Sequence, residues 1–170
     1  MTRYVALLRA VNVGGRQLKM ADLKGVAEQL GLGSPQTYIA SGNLLFTSAK
    51  DEPSVKRVLE EALSEHMGKT VEVMVRTATE LARVVADNPF GDEPSNRVVA
   101  IFLDAAPDAD VIASAKNVTD ERLALGTREI YVHFPSGQGQ SKLAFPPRLR
   151  GTGRNMNTVA KLAELAREIP

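Results

Sequence analysis

The chain has 170 residues, enough for one large domain or two small ones with a core of their own. It has no cysteine, which excludes disulfides, thiolate metal sites and a cysteine nucleophile and fits a reducing cytoplasm, the expected location. A net charge of +1 says little about partners, and no run reaches the roughly 18 apolar residues of a membrane helix. The opening MTRYVALLRAV is basic, then apolar, but Arg9 interrupts it, so residues 3–10 read as a strand rather than a signal peptide.

Residues 11–20 form a glycine-bearing loop, and a helix from about Ala21 to Leu30 follows, with Leu23, Val26, Ala27 and Leu30 at helical spacing. Gly31 and Gly33 end it. TYIA (37–40) and NLLFTS (43–48) read as two strands around a tight hairpin at Ser41-Gly42. Asp51-Glu52-Pro53 opens a helix whose stripe is Val55, Val58, Leu59, Ala62 and Leu63, and VEVMV (71–75) is a fourth strand. The order β-α-β-β-α-β over residues 1–76 is the split βαβ of ferredoxin-like domains.

Thr77 and Glu80 form a capping-box pattern for a helix over 78–87, stopped by Asn88-Pro89-Phe90. The pattern then predicts a strand over 98–103, a helix near 108–116, strands near 121–125 and 129–134 about Gly126, and a final helix from about Asn155 to Ile169. Residues 77–170 thus read as a second, related half that repeats the first without its last strand, which suggests a duplication. The expected fold is α+β, two ferredoxin-like halves of mostly antiparallel sheet with helices packed on them.

Three segments combine glycines, amides and cations without an acid. The first is Asn12-Val13-Gly14-Gly15-Arg16, flanked by Arg9 and Lys19 at a strand exit, where open α/β layers hold ligands. It is not a P-loop, and its glycines equally suit a plain turn. The second runs from Ser136 to Lys142, where Ser141 and Lys142 suit a phosphate or carboxylate, or simply a polar loop. The third is Thr152 to Thr158, where Arg154, Asn155 and Asn157 stand at a helix start that either attracts an anion or is only capped by an asparagine. Between Ile130 and Ala163 there is no Asp or Glu, which suggests a positive face there. His66 and His133 are isolated, so no zinc site is expected, and neither a metal nor a cofactor is implied. Tyr131, Phe134 and Phe145 beside the basic segment keep stacking on single-stranded nucleic acid open.

RAVNVGGRQLKM (9–20), TYIASGNLLF (37–46), NPF (88–90), REIYVHFPSGQGQSKL (128–143) and TGRNMNTVAKL (152–162) together resemble the bacterial family catalogued as domain of unknown function 1697. The resemblance spans nearly the whole chain. It implies two ferredoxin-like halves and no established activity, and its motif residues add Ser41 and Asn43 to the candidates. Members usually carry Trp between the two asparagines of the last motif, where this chain has Met156, a flexible apolar substitute if the position is core. The leading expectation is a binding module for an anionic ligand, a nucleotide-like metabolite or nucleic acid, with no membrane partner. An enzyme acting on a phosphorylated or carboxylated small molecule comes second. It lacks an evident base or nucleophile, so its catalytic residues are unknown. An interaction protein, such as a homodimer through a sheet face or edge, comes third.

Overall fold

The computed structural model describes residues 1–9, 17–39 and 42–170. The chain divides into two units, residues 1–82 with 162–170, and residues 83–161.

In the first unit, β1 (Thr2–Arg9) is the central strand and pairs antiparallel with both β3 (Asn43–Ser48) and β4 (Glu72–Thr77). The sheet order is β2-β3-β1-β4, with β2 (Gly33–Thr37) at one edge. Alternation assigns the faces: Tyr4, Ala6 and Leu8 join Val73 and Val75 in one buried cluster, and Val5, Leu7 and Arg76 lie on the opposite face. The helices α1 (Met20–Gln29) and α2 (Glu52–Met67) add Leu23, Val26 and Ala27, and Val55, Leu59, Leu63 and Met67, to that cluster. The start of α2 is set by Asp51, whose carboxylate accepts the Ser54 N–H at 3.0 Å. Its end is set by Gly68, which takes the left-handed backbone that side chains disfavour (φ 67°).

The expected strand at 37–40 lies earlier, at Gly33–Thr37. Gly33 is the reason: a Cβ there would sit 2.2 Å from Thr47 Oγ1, so only glycine lets this segment approach β3. The pairing continues one residue further, Tyr38 N–H donating to Asn43 O at 3.2 Å. Ile39 has φ 48°, which strains a β-branched residue, and Asn43 Nδ2 donates to Tyr38 O at 2.8 Å. Gly42 has the expected positive φ, at 82°.

The helix α3 (Ala78–Ala86) carries the reciprocal cap: Glu80 accepts from Thr77 N–H at 2.9 Å and Thr77 Oγ1 from Glu80 N–H at 3.1 Å. In the second unit, β5 (Val98–Phe102) is central. It pairs antiparallel with β7 (Glu129–His133) and β8 (Thr152–Asn155), and β6 (Arg122–Leu125) lies outside β7. The order β6-β7-β5-β8 matches the first sheet strand for strand. The second half therefore does have its last strand. β8 pairs with β5 as β4 pairs with β1, and α4 (Met156–Arg167) follows it directly. The segment around 108–116 is not a helix but a set of turns, with Val111 N–H bonded to Asp108 O and Ala115 N–H to Ile112 O. Its apolar residues, Val111 and Ile112, are adjacent rather than a turn apart, so a helix would bury little, and Ser114 Oγ competes for the Asp110 carbonyl at 2.9 Å.

Candidate ligand-facing residues

Asn12, Gly14, Gly15 and Ser41 lie outside the described residues. Arg9 ends β1 cross-strand from Glu72, its Nη1 3.8 Å from that carboxylate. Lys19 is exposed at the N-cap position of α1, where its carbonyl accepts from Asp22 and Leu23. Asn43 is fully buried and holds Tyr38 O, so it shapes the β2–β3 connection from inside. Asn155 caps α4, its Oδ1 accepting the Thr158 N–H at 3.0 Å. Asn157 is exposed and accepts from the Ser95 hydroxyl. Met156 is buried in the interior. Lys142 is exposed.

Arg154 is the candidate with distinctive electrostatics. It stands on β8 cross-strand from Ala100, on the face turned away from the Val99–Ile130–Val132 cluster, with 7% of its surface exposed. Its Nη1 donates to Thr152 Oγ1 at 2.5 Å and to Gly153 O at 3.0 Å. Burial strips water from the guanidinium and pushes its pKa down to about 10. The first sheet has a counterpart that sequence reading missed. Arg76 on β4 is 1% exposed, cross-strand from Val5, and also faces away from its unit's cluster. The signal was present: Arg76 continues the alternation of Glu72 and Met74, opposite in phase to Val73 and Val75.

Ser141 lines a cavity of about 150 Å³ with Thr119, Asp120, Glu121, Phe134, Ser136, Gly137 and Gln140. The acid-free loop thus meets acids in space. Ser141 Oγ donates to the Glu121 carboxylate, Ser136 Oγ donates to Asp120 Oδ2 at 2.6 Å, and Thr119 N–H donates to Glu121 Oε1 at 2.7 Å. The bonds from Ser141 and Thr119 favour the charged form of Glu121 and pull its pKa down to about 2, the Ser141 hydroxyl contributing most. Nor is the basic stretch a uniform positive face. Arg148 lies 3.4 Å from Asp108 and 3.9 Å from Asp110, and Arg154 is buried with only 7% of its surface exposed.

A further cluster was not assembled from sequence. His133 is 5% exposed, its Nδ1 3.2 Å from Arg122 and its Nε2 3.5 Å from Glu93. Arg122 lies over the Phe90 ring, 5.0 Å from its centre, and bonds Glu93 at 3.0 Å. The cluster explains Asn88-Pro89-Phe90: Asn88 Oδ1 accepts the Phe90 N–H at 3.0 Å, turning the ring toward Arg122 and His133. Residues far apart in sequence carry it, so spacing could not reveal it. Among the described residues no group of three or more His, Asp or Glu could hold a metal ion. Of the rings considered for base stacking, Tyr131 and Phe134 are buried, as are Tyr4 and Phe46, whereas Phe145 is half-buried and packs against the Val99–Ile130–Val132 cluster.

Two antiparallel four-stranded sheets of identical strand order define an α+β protein of two ferredoxin-like halves. The chain belongs to the family described as "Protein of unknown function (DUF1697)", which matches residues 1–131. It is also similar to the solved structure of the conserved bacterial protein SP0830 from Streptococcus pneumoniae, with TM-score 0.83 and 27% identity over 99% of each chain. No curated protein matches it. Among the described residues no helix is long and apolar enough to cross a membrane.

Proposed function

We propose that the chain is a binding module for a small anionic ligand bearing phosphate or carboxylate, met by Arg154. The observation that carries this reading is the desolvated guanidinium on β8, 7% exposed and pushed down to about 10 by burial. A guanidinium with little water around it holds phosphate or carboxylate through charge-assisted, bidentate bonds that solvent weakens less than at an open surface. Arg154 also precedes the cap of α4, whose first turn presents N–H groups. Lys142 is exposed, and its charge adds to the attraction of anions toward the second unit. Burial of Tyr131 and Phe134, two of the three rings beside the basic segment, weakens the case for single-stranded nucleic acid.

The enzyme reading gains no comparable support. Glu121, the carboxylate beside the Ser141 hydroxyl, is held near a pKa of 2 and so is a weak general base at neutral pH.

The test is fluorescence anisotropy and equilibrium dialysis with mononucleotides, inorganic phosphate and labelled single-stranded RNA and DNA. Wild type, Arg154→Gln and Lys142→Ala are compared across a salt series. The expected result is small-anion binding that is lost in R154Q and only weakened in K142A. Absence of all binding at low salt would overturn the reading. Retention of nucleic acid alone would move it to a phosphate-backbone surface.

A further inference from the structure

The four sheet edges are not treated alike. Edge β2 contains Pro35, which has no N–H, and its ladder shifts between Gly33 and Gln36. On edge β4, side chains of α2 occupy the backbone: Val73 N–H donates to Glu60 Oε2 at 2.9 Å and Val73 O accepts from Lys56 Nζ at 2.6 Å. On edge β8, the Gly153 carbonyl accepts from Arg154. Among the described residues nothing of this kind occupies edge β6. In its hairpin with β7, Gly126 N–H donates to Glu129 O at 2.7 Å, and the register pairs Ala124 with Tyr131 and Arg122 with His133. Hydrogen-bonded pairs alternate along an antiparallel ladder. Arg122 and Ala124 therefore turn their peptide groups toward β7, and Leu123 and Leu125 turn theirs outward. Among the described residues no backbone hydrogen bond reaches those outward groups. Leu125 is also one of the few exposed large apolar side chains, at 42%.

We propose that β6 is a self-association edge, onto which a second copy of this chain docks its own β6 antiparallel, with the two-fold axis at Ala124. The strand is self-complementary in that register. Leu123 of one copy lies opposite Leu125 of the other, both pairs exchange main-chain hydrogen bonds, and the exposed leucine is covered. Arg122 falls opposite Gly126, so the two guanidiniums do not confront each other. The two second-unit sheets become one continuous sheet. A contact this short stays below the roughly 1,200 Å² of a stable interface, so the association is weak and concentration-dependent.

Sedimentation velocity over a wide concentration range tests this on wild type and on Leu125→Lys, which places a charge on the edge. Because the chain has no cysteine, single cysteines report the register. Across the axis, Ala124→Cys pairs with itself at a Cα separation of about 4.5 Å, suited to a disulfide. Leu125→Cys places its partner beyond the roughly 7 Å limit. The expected result is a wild-type dimer that grows with concentration and is absent in L125K, and an oxidised covalent dimer from A124C well above that from L125C. A wild type that stays monomeric throughout overturns the proposal. So does a dimer that L125K leaves intact, or equal cross-linking by the two cysteines. Circular dichroism checks that each variant is folded.

Discussion

Glu121 joins two loops that are far apart in sequence, accepting from Thr119 on one side and Ser141 on the other. The unfolded chain binds its proton as pH falls through about 4.5, whereas the folded chain resists until about 2. Stability therefore falls as pH drops through that window. Glu121→Gln should flatten the acid limb: its urea midpoint will change less than that of wild type over the same range. Met156 is a second residue, one that its place at helical spacing with Val159, Leu162 and Ala166 assigns to the core rather than to a ligand. It is 3% exposed, so Met156→Ala should cost about 2–5 kcal/mol in urea unfolding, the range for truncating a buried large side chain. A loss near zero would place the side chain at a surface site instead. Asn43→Ala should cost about 1–3 kcal/mol, because Tyr38 O would lose its donor inside the protein. Arg154 was nameable from sequence as a cation at a helix start. Its burial was not, because alternation in a strand of four residues leaves too little pattern to read.

The helices and central strands were legible at the element scale, since each carries its own signal: the Thr77–Glu80 cap, the Asp51 cap with Pro53, and the apolar runs of β1, β3 and β5. Where signals were weak, tertiary pairing decided. The segment GSPQT has no strand propensity, yet becomes β2 because Gly33 packs against Thr47. Similarly, TGRN reads as a helix lead-in, yet β5 recruits it as β8. Gly153 permits that close approach, since a Cβ there would meet Val99 Cγ1 at 3.1 Å. Asn155 sits where the strand becomes helix. Asn155→Ala should cost about 1 kcal/mol through loss of the cap, and Asn155→Asp should recover it, both read from chemical unfolding. A ligand-holding asparagine would instead lose binding in both variants without that pattern in stability.

At the scale of the whole chain, element order anticipated the first sheet, whereas the second departed from it, since β8 was read as the lead-in of the last helix and the helix expected near 108–116 is a set of turns. Charge segregation translated less directly. The acidic 104–121 stretch and the acid-free 130–163 stretch meet within the second unit, through Arg148 with Asp108 and Ser141 with Glu121, and so offset each other locally. The first unit, by contrast, is discontinuous and includes residues 162–170. Leu162, Ala166 and Ile169 are buried, and Arg3 Nε donates to Ile169 O at 2.9 Å. A chain truncated after Lys161 should therefore lose hydrogen-exchange protection chiefly in β1, β3 and β4. Equal protection in truncated and full chains would contradict this partition.

That discontinuity also has a consequence in time. A ribosome delivers residues 1–82 before the other unit, but residues 162–170, which belong with them, emerge only after every residue of that other unit has been made. During synthesis the first sheet must wait for its closing piece, and the Arg3–Ile169 bond marks when the wait ends.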